Sequence, residues 1–140
     1  MDFNLNFVTL NVGMSISLAG LPDLVKSENL DVLFLQEVRL TVDQIKNILR
    51  GFNAAVNIDE NNPDRPGTAL VWRNEIVITD IYSIVPCRAQ VATLGEYKFM
   101  NVYAPSGSDK KYERKIFYGC ELFQYLLSDK FPLHMSTLQD

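Results

Sequence analysis

The sequence predicts an α/β fold, in the α+β sense of one mixed sheet with flanking helices. Three features predict it. The run DVLFLQE (31–37) is continuously apolar before it ends in polar residues, as a strand buried on both faces reads. Residues 68–104 carry strand-like runs back to back, with no helical period between them. Helical periodicity appears instead at 41–50 and at 108–127. The order is therefore β-α-β-α-β, then consecutive strands, then a helix.

In order, LNFVTLN (5–11) alternates well enough for a strand, and a loop with Gly13, Gly20 and Pro22 leads to a short helical stretch near 21–28. After the buried strand, TVDQIKNILR (41–50) places Val42, Ile45, Ile48 and Leu49 on one side and stops at Gly51. FNAAVNI (52–58) fits a strand and NNPDRPG (61–67) a turn. Strand-like runs follow at 68–73, 75–83, 85–94 and 97–104, the last two joined by a hairpin turn at LGEY (94–97). In the final helix Ile116, Cys120, Phe123 and Leu127 recur at helical spacing beside Phe117 and Leu126. Ser106 and Asp109 have the spacing of a capping box at its start.

Composition bounds the class. The chain has 140 residues, 47% hydrophobic and 21% charged, which suits one globular domain and excludes disorder and fibrous repeats. No apolar run nears the ~20 residues of a membrane span, and no signal peptide opens the chain. Cys87 and Cys120 match no zinc or redox spacing, so a reduced intracellular compartment is expected. The net charge of −4 argues against a protein built wholly for binding nucleic acid. Residues 1–64 hold 9 acids and 4 bases, whereas residues 65–140 hold 8 and 9. The acidic half repels phosphates unless it recruits a cation that attracts them.

Three polar residues stand at strand ends: Asn11, Glu37 and Tyr103. Ligand sites of open α/β sheets gather at the C-terminal ends of strands. Were the three strands parallel neighbours, a carboxylate, an amide oxygen and a phenol would converge on one rim. That set suits a hard cation and a phosphate. The residues alone leave a plainer reading open, with Glu37 a solvated strand end and Asn11 a turn former.

The segments TLNVG (9–13), DVLFLQE (31–37), GTALVWR (67–73) and NVYAPSGS (101–108) occur in an order that resembles the endonuclease/exonuclease/phosphatase superfamily. Within it the chain resembles most the endonuclease domain of non-LTR (LINE-type) retrotransposons, through Asn-Val-Tyr-Ala-Pro, PSGSDKKYERK and ELFQYLL. The likeness runs over about residues 5–127, and four ordered motifs are far more specific than any one. It implies the N-terminal half of a deoxyribonuclease I-like four-layer α/β/β/α sandwich, of which this chain would supply essentially one sheet and its helices. Residues 128–140 would be a divergent tail.

By the same resemblance Glu37 is the family's magnesium-binding glutamate and Asn11 assists metal and phosphate. Tyr103 hydrogen-bonds the scissile phosphate. The cofactor implied is Mg²⁺ or Mn²⁺, weakly bound, and the substrate is DNA. Lys110, Lys111, Arg114 and Lys115 share one side of the last helix and are candidates for DNA phosphates, or simply a solvated face. Arg39 has two candidate partners, Glu37 or a phosphate. Asn101 shares a face with Tyr103 if 97–104 is a strand. Trp72 reads as core.

The departures matter as much. The family's later Gly-Asp-Phe-Asn and Ser-Asp-His segments do not occur in the 140 residues, and His134, in Pro-Leu-His-Met, has no neighbouring acid. The expectation is a truncated, retrotransposon-derived endonuclease domain with little or no activity alone. The alternatives are a non-catalytic remnant that binds DNA or metal, and a phosphatase-branch member acting on phosphoesters. Nuclear localisation follows if the protein is retrotransposon-like, and cytoplasmic otherwise. With one sheet only, an uncovered face is expected to drive self-association.

Overall fold

The structure is a computed structural model that describes residues 5–13 and 18–118. Its first unit alternates strand and helix: β1 (Phe7–Asn11), α1 (Leu21–Glu28), β2 (Val32–Val38), α2 (Val42–Ile48), β3 (Phe52–Asn57) and β4 (Gly67–Arg73). The second is a meander of β5 (Thr79–Val85), β6 (Ala89–Leu94) and β7 (Tyr97–Val102), followed by α3 (Lys111–Ile116).

The helices start and stop for local reasons. Pro22 opens α1, where a missing N–H costs nothing, and Asn29 ends it in the left-handed region at φ 49°. Thr41 caps α2 in a full capping box: its Oγ1 accepts from Gln44 N at 3.2 Å, while Gln44 Oε1 accepts from Thr41 N at 2.9 Å. The box expected at Ser106 and Asp109 does not form. Ser106 lies ahead of a 3-10 turn that begins at Ser108, and α3 has no side-chain cap. The expected helix 108–127 is described as far as residue 118; Cys120, Phe123, Leu126, Leu127, His134 and the tail 128–140 lie outside the described residues.

The strands form two sheets rather than the one expected. The first has order β1-β2-β4-β3, with β1 parallel to β2 and the other pairs antiparallel. The second is the antiparallel β5-β6-β7. The hairpin expected at 94–97 closes with Leu94 opposite Tyr97, and Gly95 supplies the φ of 62° that the turn requires. The run expected at 75–83 pairs later, from Thr79, because residues 74–78 turn away after Arg73.

Strand parity shows how the sheets stack. Leu33 and Leu35 pack with Leu21, Val25, Ile45 and Leu49 beneath α1 and α2. The opposite face of the same sheet, Val32, Phe34, Leu70 and Trp72, packs against Ala92, Ile81 and Phe99 of the second sheet. Trp72 is thus a core residue, as expected. The outer face of the second sheet, with Val91, Met100 and Val102, is covered by Phe117 beyond α3. The helices α1 and α2 thus cover one face of the first sheet and the second sheet covers the other, while α3 buries none of its own residues. Apolar residues at both parities of the first sheet are therefore packed within the chain, its second face against a sheet that this chain itself supplies. Among the described residues, no helix is long and apolar enough to cross a membrane.

Polar side chains are also buried between the sheets. Asn101, only 1% exposed, donates Nδ2 to Leu35 O and Ala69 O, both at 3.0 Å, and to Gln90 Oε1 at 3.2 Å. Gln36 Nε2 donates to Asn101 Oδ1 at 2.9 Å and to Thr9 Oγ1 at 3.0 Å. Asn57 binds Val85 O and Ala89 O at 3.1 Å and accepts from Cys87 N at 3.1 Å. Buried amides are tolerated only when so bonded, and here the bonds fix the register of one sheet on the other.

Candidate active site

The site begins with a break in the alternation of β2. Gln36 pairs with Thr68 and Val38 with Gly67, so Glu37 is an extra residue against β4: a β-bulge. Its φ is 58°, a left-handed conformation that few non-glycine residues adopt. The consequence is visible in the core. Val32, Phe34 and Gln36 face the second sheet, yet Val38, of the same parity, packs with Leu33 and Leu35 beneath the helices. Between them Glu37 is turned out at the strand end, half-buried.

Gly13 completes the cradle. A Cβ on Gly13 would fall on the Glu37 carboxylate, so only glycine leaves that space for Oε2. The same loop holds Asn11, whose Oδ1 accepts from Gly13 N at 3.0 Å, while Val12 N donates to Gln36 O at 3.0 Å and continues the pairing of β1 with β2.

Tyr103 arrives from the other sheet. It does not stand on a parallel neighbour of β2; it follows β7 and reaches across the end of the sandwich. Its hydroxyl donates to Glu37 Oε1 at 3.4 Å, a loose hydrogen bond. Burial and then the Glu37 carboxylate raise its pKa above the ordinary 10.0, against a smaller opposing pull from Arg88 and Arg39. The phenol therefore keeps its proton at neutral pH and remains a donor.

The other candidates divide. Arg39 donates Nε to Asp64 O at 3.0 Å and adds positive field near Tyr103. Asn101 does not reach the rim, because it is bonded between the sheets. Arg114 donates to Pro105 O at 3.2 Å and Gly107 O at 2.7 Å, so it ties the loop after Tyr103 to α3. Lys110 pairs with Glu113 at 3.3 Å on the surface, and Lys111 and Lys115 are exposed.

One residue near the site was missed. Arg88 passes its guanidinium over the Tyr103 ring, 4.8 Å from the centroid. It stands in no motif, and only its place after Pro86 and Cys87, at a strand junction, marks it in the sequence.

A match to the Endonuclease/Exonuclease/phosphatase family covers residues 3–119. The chain belongs to this family. Similar solved structures share the fold. An AP endonuclease from Archaeoglobus fulgidus is 19% identical with a TM-score of 0.65; the match covers 85% of this chain and 50% of that one. The 3′ phosphatase NExo from Neisseria, bound to a product DNA hairpin, is 21% identical with a TM-score of 0.70, covering 97% and 57%. A mannosyl-6-phosphatase of Bacteroides thetaiotaomicron is 14% identical with a TM-score of 0.64, covering 98% and 65%. The chain thus spans roughly half to two thirds of these relatives. No curated protein matches the sequence.

Members of the family generally depend on a divalent metal. Among the described residues no group of three or more His, Cys, Asp or Glu side chains gathers. The donors present are nevertheless hard oxygens: one carboxylate lodged against Gly13 and the Asn11 amide oxygen at the same strand ends. They suit an ion that keeps several waters and draws further oxygens from a phosphate.

Proposed function

We propose that this chain carries the metal- and phosphate-binding half of a metal-dependent phosphodiesterase site acting on DNA. The observation that supports it best is the left-handed bulge at Glu37, with its carboxylate lodged against Gly13 and met by the Tyr103 hydroxyl. Bulges and backbone in rare conformations concentrate where a side chain must be re-aimed for function.

In this reading Glu37 holds Mg²⁺ or Mn²⁺, Asn11 orients metal or phosphate, and Tyr103 donates its hydroxyl to a phosphate oxygen. The cation, when bound, acts as a Lewis acid on the phosphate oxygens for in-line attack by water. Lys111 and Lys115 extend the phosphate-binding surface beyond the loop that follows Tyr103. The order of the motifs supports kinship with the endonuclease of non-LTR retrotransposons, and the AP endonuclease and DNA-bound 3′ phosphatase neighbours support DNA as substrate. Residues 1–127 would then be the N-terminal part of the domain and 128–140 a divergent tail.

General acid–base groups typically contribute 10²–10⁴-fold. The 140 residues contain neither Gly-Asp-Phe-Asn nor Ser-Asp-His. Little or no nicking is therefore expected from these 140 residues by themselves; a non-catalytic module that binds DNA or metal is the second reading. A plasmid-nicking assay with Mg²⁺ decides between half-site and complete site. Robust nicking abolished by Glu37→Ala would overturn the half-site reading. A baseline trace, with Mg²⁺-dependent DNA binding lost in Glu37→Gln, is the expected result.

A further inference from the structure

We infer that Arg88 is a positioning residue that holds the Tyr103 ring so that its hydroxyl meets Glu37. The inference rests on the reading of Tyr103 as the phosphate-facing donor, and deepens it. Tyr103 lies just past the end of β7, where the hydrogen-bonded ladder with β6 stops at Ala89 opposite Val102. One further backbone hydrogen bond continues the ladder to Tyr103, but it does not fix the ring that must cross to the other sheet.

Arg88 grips it at three points. The Tyr103 N–H donates to Arg88 O at 2.7 Å, which extends the pairing by one residue. The Arg88 guanidinium donates from Nη1 back to Tyr103 O at 3.2 Å. The same guanidinium covers the ring face, 4.8 Å from the centroid. The Tyr103 carbonyl and ring plane are thus held by one side chain, which leaves the hydroxyl edge to face Glu37 Oε1. A planar fork that stacks and donates at once is a property of arginine that lysine lacks.

Arg88 is itself anchored. Its N–H donates to Val85 O at 3.0 Å, across a turn whose third residue Cys87, in the left-handed region at φ 63°, is held by Asn57. Asn57 belongs to β3 of the first sheet. The grip on Tyr103 is therefore referenced to the sheet that carries Glu37.

The test is a double-mutant cycle read by NMR at neutral pH on the 140-residue chain with ¹³C-labelled tyrosine. The six tyrosine Cζ signals include that of Tyr103, identified by its loss in Tyr103→Phe. A phenol that donates to a carboxylate changes its Cζ shift when the acceptor becomes an amide. Glu37→Gln should therefore move the Tyr103 signal in the wild-type background and leave it unmoved in Arg88→Met. Equal displacement in both backgrounds overturns the role of Arg88 alone. No displacement even with Arg88 present overturns the Glu37–Tyr103 contact, and with it both readings. Amide spectra show whether each variant is folded. Should Arg88→Met unfold, Arg88→Lys keeps the charge without the fork, and the cycle is read in it instead: a displacement reduced from wild type supports the inference, and a full one overturns it.

Discussion

Glu37 and Tyr103 belong to different sheets, and their side chains meet at the end of the sandwich with 3.4 Å between the hydroxyl and Oε1. Neither strand alone can set that distance. It depends on the bulge that turns Glu37 out of β2, on Gly13 leaving room for the carboxylate, and on the amides that lock the sheets together.

Gly13→Ala tests the cradle. The added methyl occupies the place of the Glu37 carboxylate, which must rotate away, while Gly13 itself has no left-handed φ that would strain an alanine. Affinity for Mn²⁺, measured by calorimetry, should fall by about 10-fold or more, as expected when a ligand's support is lost. Unchanged affinity would show that the carboxylate has another productive position.

The backbone of Glu37 gives a second test. At φ 58° a Cβ is unfavourable by ~1–2 kcal/mol, a cost glycine does not carry. Glu37→Gly should therefore be about 1 kcal/mol more stable than Glu37→Ala in urea unfolding. In an ordinary strand the order is the reverse.

Asn101→Ala should be far more damaging than an exposed substitution. It removes the donor to Leu35 O and Ala69 O and the acceptor for Gln36, all buried. Each orphaned buried group costs ~1–3 kcal/mol, so a loss of about 3 kcal/mol or more is expected in chemical denaturation. A loss below 1 kcal/mol would mean that water replaces the amide.

Alkaline stability should report Tyr103. Burial and the Glu37 carboxylate make the folded protein hold this proton more tightly than the unfolded chain, which releases it near 10.0. The stabilising contribution is complete below pH 10 and is lost as pH rises through the higher folded value. The stability of wild type relative to Tyr103→Phe should fall above pH 10. A constant difference from pH 8 to 11 would contradict the assignment.

Much of this was legible in the residues. The buried run before Glu37, the hairpin at Gly95 and the helix after Thr41 each carry a local signal that the structure repeats. The division into two sheets does not, because apolar residues at both parities announce that both faces are covered without saying by what. Gln36, Asn57, Gln90 and Asn101 were the available clue, since amides at or within apolar runs need partners that a single sheet's ladder does not supply. The bulge at Glu37 depends on where β4 pairs, about thirty residues on, and the placement of Arg88 depends on the turn held by Asn57. Such long-range geometry leaves no periodicity to read.

The central claim is that Glu37 holds the metal. Calorimetric titration of Mn²⁺ and Mg²⁺ into the wild-type chain and Glu37→Gln tests it most directly, because the substitution keeps the shape and removes the charge. The account predicts weak but saturable binding to wild type and none to the variant. Binding of equal affinity to both would contradict it.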